Sequence, residues 1–364
     1  MAYALAAVLP IFVFVYVSTG PHPWYGALPW LAVPFLMAAL ERALGRAAGG
    51  RAPPGRARGH DVLVYALAAL YLANHLLLLR LASRGGFFRC DTLAAFQFFG
   101  VYSAFSGIVL GHELIHRREW YHHLAGRLLC CTLLYEHFST EHLRGHHVRG
   151  VTEEDAATAR YGETYWQFLR RSVPGQWRSA FQLELRRIHA SGWRDRRLLR
   201  SRVVQGALFQ AALLAAIHRA FGPAAVGVFV VQAAAAVCYL EAVNYFQHWG
   251  LRRAGRTWDE VDSWETDVRL SVYAMFALPR HADHHMHMVR PYPLLRSSAH
   301  GPRLPAGYLG SILLTLFANR RLRRYMSAEL ARLGLGPFAA GAAGPAIRTA
   351  PPSGPAGHAR ASWR

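Results

Sequence analysis

Apolar residues fall along this chain in long runs, not in the regular alternation of a half-buried strand or the narrow stripe of a surface helix. Six runs, at residues 3–19, 24–41, 61–82, 93–113, 203–221 and 222–246, approach the roughly 20 apolar residues that cross a bilayer core. They predict an all-α integral membrane protein with about six transmembrane helices. Pro10, Pro29 and Pro34 predict kinks, which membrane helices tolerate. The first run lacks a basic leading segment and is followed by further spans, so it reads as a retained helix and not a cleaved leader. Two shorter apolar runs, 124–138 and 307–318, suit buried or interfacial helices. Residues 1–335 thus read as one membrane-embedded domain, and the Gly-, Ala- and Pro-rich stretch 336–364 as a disordered tail.

The polar positions between the runs set an orientation. Arg42, Arg46, Arg51, Arg56 and Arg58 follow the second run, and the segments 117–202 and beyond Leu251 are also rich in arginine. Placing all three on the cytoplasmic side of an inner membrane puts both termini there too. The loop carrying Arg80, Arg84 and Arg89 then faces outward, a departure from the rule. Composition agrees with a membrane protein: 53% of residues are hydrophobic and only 17% charged, against about 25% in soluble chains. The net charge of +20 lies in loops between apolar runs, which argues against a nucleic-acid partner. Cys90, Cys130, Cys131 and Cys238 form no C-x-x-C pair, so the chain lacks the thiolate quartet of an iron–sulfur or rubredoxin-type centre. Electrons for any redox reaction must come from another protein.

Histidines mark the candidate chemistry. GHELIHR at 111–117 places His112 and His116 four apart, on one face of a helix, with Glu113 between them. Alone, that pattern is also the zinc helix of a peptidase. Three further clusters change the picture: His142, His146 and His147 in EHLRGHH, His248 in NYFQHWGL, and His281, His284 and His285 in RHADHH. These nine histidines exceed the four ligands of a tetrahedral zinc and suit two metals with four or five imidazoles each. His75, His122, His123, His137, His218 and His287 fall outside the repeated spacing. Glu113, Glu141, Glu241 and Asp283 lie beside the clusters and are expected to accept the outer N–H groups of the imidazoles. A metal transporter or sensor is the non-catalytic alternative.

In order and spacing, the four histidine motifs resemble those of the membrane-bound alkane monooxygenases. VRGVTEEDAATARYGETYWQFL, RPYPLLR and PRLPAGYLG add to the likeness, which runs from about residue 60 to 325. The H-x-x-x-H-H spacing at 142–147 differs from the H-x-x-H-H of desaturases and fatty-acid hydroxylases. The resemblance implies two non-haem irons held by the nine histidines. It also implies O2-dependent hydroxylation of a terminal methyl group on a hydrophobic substrate drawn from the bilayer. Electrons would come from a rubredoxin, or a ferredoxin-type donor, with its reductase. Gln247 and Trp249 replace the usual Glu and Tyr of the third motif, which leaves open the methyl groups of xylene- or cymene-like substrates. A desaturase or fatty-acyl hydroxylase is the related alternative. Phe99, Tyr102 and Phe105, with Phe96 and Phe98, are candidates for lining the substrate path.

Overall fold

The computed structural model describes residues 2–47, 57–85, 99–192 and 194–339. Helices make up the described residues, joined by loops that contain only the isolated bridges Arg46–Val268 and Glu265–Arg303. Three helices are long and apolar enough to cross a membrane: α1 (Ala2–Thr19), α2 (His60–Gly85) and α3 (Arg202–His248). α2 packs against both of the others.

The remaining expected spans take other forms. Residues 24–43 form a short helix, Trp24–Ala27, a 3-10 stretch, Leu28–Ala32, and a second helix, Val33–Ala43. Pro29 and Pro34 stand at the starts of the last two, where a missing N–H costs nothing. The fourth expected run is represented by the shorter helix Phe99–Ile115, and residues 93–98, including Phe96 and Phe98, lie outside the described residues.

α3 has a sharp corner. Gly222 adopts φ 82°, ψ 177°, and Pro223 follows it without an N–H to continue the ladder. A straight helix of 47 residues would reach about 70 Å, more than twice the bilayer core. The corner divides it into two limbs, each of spanning length, at the boundary between the expected runs 203–221 and 222–246.

The short apolar runs are helical, over Trp120–Cys131 and Tyr308–Phe317. Trp120–Cys131 folds back on Phe99–Ile115 through two glycines. A Cβ on Gly126 would lie 2.7 Å from the Gly111 carbonyl oxygen and 2.9 Å from the Ile115 nitrogen. Small residues therefore let the two backbones touch, and this fixes the helix that carries His112. Of the expected tail, Gly336–Phe338 forms a 3-10 turn and Phe338 packs edge-on against Tyr161. Residues 340–364 lie outside the described residues.

Candidate metal centre

Nine buried histidines meet at one end of the helices. Their ligating nitrogens form two groups: His112, His116, His142, His147 and His284 in one, and His146, His248, His281 and His285 in the other. Within each group, these atoms all lie within 4.8 Å of one another, so each group could hold a metal ion.

Local winding makes this division. A π-helical segment, His142–His146, carries the second cluster, and the His147 N–H donates to the carbonyl five residues back, that of His142. In an ordinary α-helix, residues five apart point roughly 140° away from each other. The wider turn brings the Nε2 atoms of His142 and His147 to 3.2 Å, while His146 faces the other group. A second π segment, Ser103–Ile108, leads into the helix bearing His112. On the short helix His281–Met286, His281 and His285 bring their Nε2 atoms to 2.9 Å, and His284 turns to the five-membered group. The second and fourth clusters therefore each contribute to both groups.

The chemistry of these contacts fits a cation. His116 and His142 hold their Nε2 atoms 3.0 Å apart. Two nitrogens bound to one ion at about 2.1 Å, at right angles, would be separated by about 3 Å. His112, His248 and His284 each leave Nε2 buried without a hydrogen-bond partner, a costly arrangement for a polar atom unless something else binds it. Burial first, and neighbouring imidazoles second, hold His142, His147, His281, His284 and His285 well below 6.5. They are neutral near pH 7, the form that ligates metals.

Around the nitrogens, the orienting partners differ from those expected. Asp155 accepts from His146 Nδ1 at 2.9 Å and from Thr158 Oγ1 at 2.6 Å. Burial alone would raise the Asp155 carboxyl, but His146 and the hydrogen bonds outweigh it and hold it at about 2. His146, in turn, is raised, because Asp155 outweighs burial. His248 Nδ1 is held by the Asp262 carbonyl oxygen at 3.1 Å. Trp258 stacks on His285 with ring centroids 3.8 Å apart, and its indole N–H donates to the His147 carbonyl at 2.7 Å. Glu265 caps the fourth cluster, accepting from the Ala282 N–H at 3.1 Å and the Ser298 N–H at 2.8 Å.

Among the described residues, none of the four expected carboxylates accepts a hydrogen bond from the nine imidazoles. Glu113 pairs with Arg117 at 2.8 Å. Glu141 accepts from Ser179 and Arg149, Glu241 from Gln176 and Asn244, and Asp283 from both Arg290 and the Arg296 N–H. Glu113, Glu141 and Asp283 are sequence neighbours of the clustered histidines, and adjacent residues on a helix do not face each other. Gln247 donates to Tyr308 Oη at 2.7 Å and does not engage the His248 ring.

Of the expected path residues, Phe105 lines an apolar cavity of about 390 Å³ together with Leu31, Phe35, Val101, Tyr239 and Ile312. Phe99 packs on Tyr102 and His75, and Tyr102 accepts a hydrogen bond from Asn74. On the same helix, Val109 and His112 line a small pocket with Met275, Phe276, Leu278 and His284.

Comparison with known proteins places the chain in a family. The sequence profile described as fatty acid desaturase matches residues 91–312. Alkane 1-monooxygenase 1 of Pseudomonas aeruginosa is 36% identical over 222 residues, 58% of this chain and 56% of that protein, so the chain spans little more than half of its length. Alkane 1-monooxygenase 2 of Alcanivorax borkumensis is 30% identical over 281 residues, 73% of this chain and 72% of the relative. The xylene/toluene monooxygenase hydroxylase component XylM of Pseudomonas putida is 25% identical over 231 residues, 59% of this chain and 60% of that protein. This chain belongs to the fatty acid desaturase family, in its alkane 1-monooxygenase branch.

Proposed function

We propose that this protein hydroxylates the terminal methyl group of an alkane or alkyl chain, using O2 at a pair of histidine-held irons. The observation that carries the reading is the division of nine buried imidazoles into converging groups of five and four. Bound iron would supply O2 activation: one oxygen atom enters the C–H bond, and the other leaves as water after two electrons and two protons are delivered.

The protein's part is positioning and exclusion of water. An unactivated methyl group offers no polar handle, so recognition falls to shape. Val109, Met275, Phe276, Leu278 and Leu295, with Glu113 as the one carboxylate, wall the small pocket of about 10 Å³ beside His112 and His284, which would have to widen to admit a methyl group. Phe105, Val109 and His112 follow one another along one helix, from the larger cavity toward the histidines. A substrate dissolved in the bilayer would travel along this face. The described cysteines, Cys130, Cys131 and Cys238, belong to neither histidine group. This supports delivery of electrons by a separate rubredoxin- or ferredoxin-type carrier with its reductase. The arginine-rich loops support a six-span inner-membrane topology with the histidines on the cytoplasmic side.

Similarity to the xylene/toluene component and the neutral Gln247 favour a second substrate class, methyl groups on aromatic rings. The test is O2 uptake and product analysis of the iron-loaded, detergent-purified protein with a rubredoxin and its reductase. Octane, p-xylene and a fatty acyl substrate are supplied in turn. A primary alcohol from octane supports the first reading, and a benzylic alcohol alone supports the second. An unsaturated acyl product, or no substrate-coupled O2 uptake, contradicts both.

A further inference from the structure

A second cavity, of about 670 Å³, lies apart from the histidines, between the helices Val33–Ala43, Tyr308–Phe317 and Asn319–Leu333. Its lining is divided. Ala38, Ala39, Leu314 and Leu322 give an apolar side, and Arg42, Arg46, Arg321 and Tyr325 give a cationic and hydrogen-bonding side. Neither Arg42 nor Arg46 forms an ion pair with a described carboxylate. One carboxylate, Glu41, also lines the cavity, but it is buried and already used. It accepts from Ser271 and from the Leu309 and Gly310 N–H groups at the start of Tyr308–Phe317, where the helix dipole favours a negative charge.

The surroundings say what would fit. On one flank, Leu36, Leu40 and Phe317 are exposed apolar residues, 63%, 44% and 74% accessible, as expected of side chains facing lipid tails. On the other, the helix Asn319–Leu333 packs Leu322, Met326 and Leu330 into the protein core and opens with Arg320, Arg321, Arg323 and Arg324, which gathers positive charge beside the cavity. The cavity therefore sits where exposed apolar surface gives way to positive charge, the character of the headgroup zone of a bilayer. Basic pockets between membrane helices recognise phosphate headgroups.

We propose that this cavity binds an anionic phospholipid, its phosphate held by Arg42 and Arg46 with Arg321 and Tyr325 alongside, and its acyl chain laid against Ala38, Ala39 and Leu314. The cavity shares no lining residue with either histidine group.

Native mass spectrometry of the detergent-purified full chain tests this directly. The protein is incubated in turn with phosphatidylglycerol, phosphatidylcholine and inorganic phosphate. Wild type is expected to retain phosphatidylglycerol and not phosphatidylcholine, and excess inorganic phosphate is expected to leave that adduct in place. Arg42→Gln/Arg46→Gln should lose retention roughly tenfold or more, Arg42→Lys/Arg46→Lys should keep most of it, and the control Arg324→Gln should match wild type. Circular dichroism establishes that each variant keeps its helix content. If the double Gln variant loses helix, Arg46→Gln alone is read the same way. Equal retention of both lipids, retention unchanged in the Gln variant, or displacement by inorganic phosphate would overturn the proposal.

Discussion

Asp155 accepts a hydrogen bond from Nδ1 of His146 at 2.9 Å, and both residues are buried. The bond leaves Nε2 of His146 as the nitrogen free to face its group. It also links a loop carboxylate to the π turn that distributes histidines between the two groups. Removing the carboxylate should free the ring to rotate. Asp155→Ala is expected to lower metal affinity of the four-histidine group by about 10- to 100-fold and to spare the five-histidine group more. Metal titration followed by mass spectrometry checks this, with half the wild-type metal content as the signature.

Trp258 touches both groups, stacking on His285 and donating to the His147 carbonyl. Trp258→Phe keeps the stack and loses the donor, whereas Trp258→Leu loses both. The Phe variant should retain most bound metal, and the Leu variant should bind less metal and lose about 2 kcal/mol or more of stability. Thermal unfolding of the three proteins, with and without added metal, gives the comparison.

The expected carboxylates and those observed show how far the sequence could be read. Imidazole spacing was legible in part: His112 and His116, and His281 and His285, each four apart, share a group, whereas His142 and His146, also four apart, are divided by the π turn. The boundary at Gly222 was visible because two apolar runs together exceed any bilayer. Asp155, Trp258 and Glu265 were not, since they reach the histidines from irregular loops with no period to betray them. One signal did exist for Asp155: the stretch around TEEDAATARY resembles the family without containing a histidine, so it needed another reason. The H-x-x-x-H-H spacing likewise carried the π turn, since one extra residue in a helix is what a π segment accommodates. The number of crossings was less legible, because the run at 24–41 meets the apolarity criterion but breaks into short helices around its prolines.

Glu265 predicts a pH dependence. Burial pushes its carboxyl up to about 7, against hydrogen bonds from Ser298 and Ala282 and the charge of Arg303, which lower it. A carboxyl raised on folding stabilises the protein fully below its unfolded value near 4.5, and that contribution is lost as pH rises through about 7. Wild type should therefore lose about 2 kcal/mol relative to Glu265→Gln between pH 5 and pH 7.5. The difference in slope of melting temperature against pH is the measurement, and parallel slopes would refute it.

Gln247 bonds Tyr308 and not the His248 ring. Restoring a carboxylate with Gln247→Glu should therefore leave metal content unchanged and lower stability by about 1–3 kcal/mol, the cost of a buried charge with one donor. A large loss of metal would show that this position acts on His248 after all.

The most direct test of the central claim is iron content per chain, by mass spectrometry, of wild type, His284→Ala and His248→Ala. His284 belongs to the group of five and His248 to the group of four. The account predicts about two irons in wild type, with each substitution removing chiefly one and the pair together removing both. One zinc per chain, unchanged by either substitution, would contradict it and return His112, Glu113 and His116 to the zinc-peptidase reading.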